Sequence, residues 1–81
     1  MQKASLGRIV LVVGGPAVSN GTDVGPAIIN RVWTDQMVNV TVFPDAGISP
    51  ALAATSVPLF DTEDEARTRL PNTAAFWPPR V

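Results

Sequence analysis

The chain of 81 residues contains no cysteine, no histidine and no tyrosine, and Lys3 is its single lysine. The absence of cysteine excludes disulfides, thiolate metal sites and a thiol nucleophile. The absence of histidine removes the usual general base and the commonest transition-metal ligand. The sequence therefore predicts no catalytic residue, no metal site and no cofactor, and we expect a protein that is not an enzyme.

Excess charge and long apolar runs are missing as well. Six basic residues oppose seven acidic ones, for a net charge of -1. The bases are scattered along the chain, whereas a nucleic-acid-binding domain normally gathers them on one face. The apolar run Ile9–Val13 is shorter than the roughly 7–15 residues at the centre of a signal peptide. We therefore expect the chain to be made in a cytosol, and we expect neither nucleic acid nor a membrane as its partner.

Short apolar segments between glycines and prolines predict strands, because their residues are β-branched or alternate with polar ones. The strict alternation of 37–43 is the clearest case. A polar break at 34–36 predicts a hairpin between the second and third strands. In the second strand, Ile28 and Val32 are assigned to the inner face, and Ile29 and Trp33 to the outer face. The predicted strands are 8–13, 27–33, 37–43, 51–57 and 73–77.

One segment, 62–70, favours a short helix. Thr62 and Glu65 have the spacing of a capping box, in which each side chain satisfies a free backbone N–H group. Acidic residues begin the segment, Arg67 and Arg69 lie near its end, and Pro71 terminates it. This charge order suits the helix dipole, so the acidic cluster at 61–65 is interpreted as a helix start rather than a cation site.

The fold class predicted from these elements is all-β. Five short strands with short connections favour a small antiparallel barrel of SH3-like or OB-like type, with one short helix near 62–70. We interpret 1–81 as a single domain with extended tails at 1–6 and 78–81. The glycine-rich segment 14–26 is predicted to be a long loop. It lacks the G-x-G-x-x-G and Gly-Lys-Ser/Thr patterns of phosphate-binding loops.

Aromatic residues carry the strongest indication of a partner surface. Trp33 ends a strand beside Arg31, and tryptophan and arginine are enriched at binding hot spots. Phe76 and Trp77 are adjacent, so on a strand they face opposite ways, and at most one is expected to enter the core. The alternative is that both tryptophans only complete the core of a small barrel. The predicted interface residues are Arg31, Trp33, Phe76, Trp77, Pro78, Pro79 and Arg80.

An ordered set of short motifs resembles a family of small proteins encoded by tailed bacteriophages and prophages. That family opens on a Gly-Arg-Ile-Val strand and ends in a Trp-Pro-Pro-Arg-Val-like tail. Asp45-Ala46-Gly47 stands where the family has aspartate-glycine-asparagine. The matching motifs are Gly7-Arg8-Ile9-Val10, Arg31-Val32-Trp33, Val38-Asn39-Val40, Pro44-Asp45-Ala46-Gly47, Ala54-Thr55-Ser56-Val57 and Trp77-Pro78-Pro79-Arg80-Val81.

The resemblance implies a phage setting and no particular reaction. We expect a virion structural protein, for example a capsid decoration protein that contacts major capsid proteins or other virion proteins and that can form a homo-oligomer. A particle would supply the burial that 81 residues supply only in part. The alternatives are a non-virion phage accessory module that binds another protein, and a barrel that binds single-stranded nucleic acid.

Overall fold

A computed structural model describes residues 3–18, 21–43 and 52–79. The strands form a closed barrel in which β5 pairs with both β4 and β1. The expected small all-β barrel with one short helix is confirmed. The Pro44-Asp45-Ala46-Gly47 motif and Arg80 lie outside the described residues. The elements are β1 (Ile9–Val13), a 3₁₀ turn (Gly15–Ala17), β2 (Val24–Thr34), β3 (Met37–Val42), β4 (Leu52–Phe60), α1 (Glu63–Arg67) and β5 (Ala74–Phe76).

The strand order of the barrel follows the chain from β1 to β5. This order is a meander, whereas the OB fold is a Greek-key barrel, so the OB-like alternative does not describe the topology. All pairings are antiparallel except β4 with β5, which is parallel. The exception arises because α1 connects these two strands in the chain and brings the chain back, so that β5 runs in the same direction as β4.

An inner core fills the barrel. On β3, Val38, Val40 and Val42 are all fully buried, as the predicted alternation requires. Each neighbouring strand adds residues at every second position. The other inner-core residues are Ala4, Val10, Val12, Ala17, Ala27, Ile29, Val57, Leu59, Ala75 and Trp77.

The predicted facing of β2 is wrong. Ile29, assigned to the outer face, is fully buried, whereas Ile28 is partly exposed and Asn30 is exposed. Two isoleucines in succession fit either face equally well by hydrophobicity. Register with the neighbouring strands decides between them, because Ile29 pairs with the buried Val40.

A second, outer core lies between α1 and the outside of the barrel. It consists of Val13, Ala66, Ala74 and Phe76, and Leu11, Val24 and Phe60 pack against it. The helix that covers it begins after Thr62, as predicted, and the Thr62 half of the capping box forms, whereas the Glu65 carboxylate bonds the Thr62 hydroxyl and not a backbone N–H. The backbone N–H of Glu65 donates to Oγ1 of Thr62 at 3.3 Å, and the Thr62 hydroxyl donates to Oε1 of Glu65 at 3.0 Å.

The outer core corrects the expectation for Phe76 and Trp77, of which at most one was assigned to the interior. The two side chains do face opposite ways, but both are buried. Trp77 belongs to the inner core and Phe76 to the outer core. The expectation was wrong because it treated the outside of β5 as solvent, whereas Ala66 of α1 packs there.

Candidate protein-interaction surface

Strand β2 is irregular around Arg31 and Trp33, two of the predicted interface residues. Its register with β3 skips between Ile29 and Arg31 and again between Val32 and Thr34. Asn30 and Trp33 are therefore extra residues with no opposite partner on β3. Such bulges re-aim side chains and are common beside functional sites. The second bulge places Trp33 on the surface, where its side chain is 50% exposed.

The exposed Trp33 side chain is held by two neighbours. The Arg31 guanidinium lies over its ring, 4.0 Å from the centroid. Its Nε1–H donates a hydrogen bond of 2.9 Å to Oδ1 of Asn39 on β3. A side chain fixed in this way loses little conformational entropy when a partner covers it. Trp33 is thus an aromatic anchor that is already oriented.

Asn39 links the bulges on both sides of β3. Its Oδ1 also accepts a hydrogen bond of 2.8 Å from the backbone N–H of Ser56 on β4. Ser56 lies at the register skip between β3 and β4 and has a φ of +54°, a left-handed conformation that is uncommon for residues other than glycine. We call Arg31, Trp33, Asn39 and Ser56 the Trp33 cluster.

One edge of β2 is open beside the Trp33 cluster. The pairing of β1 with β2 ends at Ile9 and Ile28, and Gly7 and Arg8 extend it by hydrogen bonds to Ile29. The chain then turns away, because Arg8 N–H bonds to the Ser5 carbonyl and Gly7 adopts a φ of +86°. Within the described ranges, no strand pairs with residues 31–34 on the side away from β3.

A second exposed surface, the apolar outer face, consists of Ile9, Pro26, Ile28 and Phe43. Ile9 is opposite Ile28 in the β1–β2 register, and the Phe43 N–H donates to the Pro26 carbonyl at 2.9 Å. The exposed fractions of Ile9, Ile28 and Phe43 are 60%, 39% and 42%. Contiguous apolar side chains on a small protein's surface are typical of interaction sites.

An open groove of about 560 Å³ lies between the β2–β3 turn and α1. Met37, Pro58 and Phe60 contribute to its apolar lining, and its charges come from Asp61, Glu65 and Arg69. The Arg69 guanidinium stacks over the Phe60 ring, 5.3 Å from the centroid. The groove thus combines an apolar floor with charges of both signs at its rim.

Acidic residues are concentrated in the first turn of α1. Arg67 bonds Asp23 through two guanidinium nitrogens at 2.9 and 3.1 Å, and its Nε bonds Glu63 at 2.7 Å. The hydrogen bonds from Arg67 hold the pKa of Asp23 below its ordinary value of 3.8, and those from Asp23 and Glu63 raise the pKa of Arg67. These pairs tie α1 to the segment that precedes β2.

The structure separates the predicted interface residues into two groups. Arg31 and Trp33 lie together on the surface, as the sequence indicated. Phe76 and Trp77 are buried in the two cores, Pro78 is half-buried and Pro79 is exposed. Sequence reasoning missed Asn39, which resembled any solvent-facing residue of an alternating strand. It also missed the apolar outer face, because assigning Ile28 to the interior concealed its pairing with Ile9.

No three carboxylates in the described segments converge in a way that could hold a metal ion. None of the helices described there is long and apolar enough to cross a membrane. No protein-family model matches the chain, and neither a curated protein nor a solved structure matches it.

Proposed function

We propose that the protein is a structural component of a phage virion, a decoration protein that binds the capsid through its apolar outer face. The exposure of Ile9, Ile28 and Phe43 on one side of the barrel carries this proposal. The family resemblance of the sequence supports the phage setting, and the apolar face supports a protein partner.

Burial of the apolar outer face provides the energy of attachment. Apolar area contributes about 25 cal/mol per Å² when it leaves water, so three large aliphatic and aromatic side chains are effective anchors. The face is part of the β1–β2–β3 sheet, whose inner side packs on the barrel core. A rigid sheet loses little entropy on docking, which suits a protein bound in many copies to one surface.

Mass spectrometry of purified particles of the encoding phage tests the proposal directly. We expect the protein in the virion at hundreds of copies per particle. A few copies would indicate a vertex or tail component instead of a decoration protein. Absence from the particle would reject the virion role and leave the accessory protein-binding module as the explanation of the apolar face.

A pair of substitutions tests the surface. Ile28→Glu places a charge in the apolar outer face and should reduce the binding of added protein to particles that lack it. Leu70→Glu is the matched control, because Leu70 is 40% exposed and lies after α1, outside that face. Equal binding of the two variants would show that the capsid contact lies elsewhere on the barrel.

A further inference from the structure

The open edge of β2 presents unpaired backbone groups beside a fixed aromatic side chain. Residues 31–34 pair with β3 on one side only, within the described part of the chain. A free strand edge is a template for pairing with another strand. Trp33 lies within this edge segment with its indole bonded to Asn39 of β3, and Val32 beside it is 36% exposed. Both the backbone and the side chains are therefore available to one partner strand.

Neither of the two charges that flank this edge has a counterion among the described residues. The Arg31 guanidinium stacks on Trp33 and has no carboxylate partner among the described residues. The Asp35 carboxylate, at the start of the β2–β3 turn, has no hydrogen bond or ion pair with any described side chain. The edge thus carries a positive charge at one end and a negative charge at the other.

This charge pattern is self-complementary. When two copies of the edge pair antiparallel about a two-fold axis at Trp33, residue 31 of each copy lies opposite residue 35 of the other. Both ion pairs then form at once, since a two-fold interface repeats every contact. The two Trp33 residues are then opposite each other at the centre, between charged residues, which is the usual arrangement of an aromatic hot spot inside a polar rim.

We propose that the β2 edge of the Trp33 cluster binds a second copy of this chain, by antiparallel pairing of residues 32–34 with Arg31–Asp35 ion pairs at both ends. The proposed contact involves only a few residues of each copy. We therefore expect a weak dimer, as is usual for interfaces below about 1,200 Å². The apolar outer face stays free in such a dimer. The proposal does not depend on the virion role, because a pure sample of the protein tests it.

Amide chemical shifts of the full chain, recorded from micromolar to millimolar concentration, provide the test. We expect concentration-dependent shifts confined to residues near 31–35, with a sedimentation coefficient that rises in parallel. Arg31→Asp and Asp35→Arg should each weaken association about tenfold, because each turns two ion pairs into like-charge contacts. The double variant carries the swapped pair and should restore the affinity of the wild type.

The charge swap separates pairing from any effect on folding. Arg31→Asp also removes the cation that lies over Trp33, so a loss of association by this variant alone can reflect local rearrangement. Asp35→Arg leaves that stacking intact and must show the same loss. A monomer at all concentrations, shifts at another surface, or a double variant no better than the single ones would overturn the proposal.

Discussion

Nε1 of Trp33 and Oδ1 of Asn39 lie 2.9 Å apart on neighbouring strands, joined across a bulge. The same oxygen accepts the Ser56 N–H from the opposite side. One asparagine side chain therefore replaces ladder contacts that two bulges interrupt. The orientation of the exposed indole depends on this single acceptor, which makes it open to mutational tests.

Asn39→Ala should release Trp33 and lower the free energy of unfolding by about 1–3 kcal/mol, because two hydrogen bonds are lost. Asn39→Asp keeps the acceptor oxygen and should retain most of the stability. Chemical denaturation measures the loss, and the NMR linewidth of the indole N–H reports the release. Asn30→Ala is the control, since it removes only the exposed Asn30–Thr41 bond of 2.8 Å and should leave the indole signal unchanged.

Ser56 responds to substitution according to its backbone conformation. At a φ of +54°, Ser56→Val should destabilise the barrel by about 1–2 kcal/mol, because left-handed backbone is costly for a β-branched residue. Ser56→Gly should be neutral or stabilising, because glycine adopts this conformation without the steric cost. Thermal unfolding of the two variants is the measurement; greater stability of the valine variant would contradict the assigned conformation.

The two tryptophans should differ sharply in their contribution to stability. Trp77 is 3% exposed, so Trp77→Ala should cost about 3–5 kcal/mol. That is a large part of the roughly 4–12 kcal/mol expected for a chain of this size. Trp33→Ala removes one exposed hydrogen bond and a cation–π contact and should cost about 1–2 kcal/mol. Similar losses in denaturant titrations would contradict this division between core and surface.

The Asp23–Arg67 pair makes the folding stability depend on pH in the acidic range. The pKa of Asp23 is lower in the folded chain, so its contribution is complete above the unfolded value, about 3.9, and is lost as the pH falls through the folded value. Asp23→Asn should therefore lower the melting temperature at neutral pH, and its difference from the wild type should shrink below about pH 4. Asp35→Asn, which breaks no ion pair among the described residues of a single molecule, should show no comparable change in dilute samples; a constant difference for Asp23→Asn down to pH 2 would contradict the pairing.

Local patterns were sufficient to predict most of the elements. The alternation around Val40, the helix start at Thr62 and the polar turn between β2 and β3 each depend on neighbours in the chain. Proline was the exception, because Pro26 and Pro58 lie within strands β2 and β4, whereas both were expected outside them. At Pro58 the strand changes partner from β3 to β5, a position where a missing N–H is tolerated.

Spacing along one strand or one turn was enough to predict the all-β class, the helix start at Thr62 and the grouping of Arg31 with Trp33. Three features became clear only in the folded barrel: the buried face of β2, the interior positions of both Phe76 and Trp77, and the hydrogen bond by which Asn39 holds Trp33. Each depends on contacts between segments that are distant in the chain, namely strand register, the packing of α1 on β5 and the bulges beside β3. Hydrophobic pattern does not encode these contacts, because residues such as Ile28 and Ile29 satisfy it equally on either face.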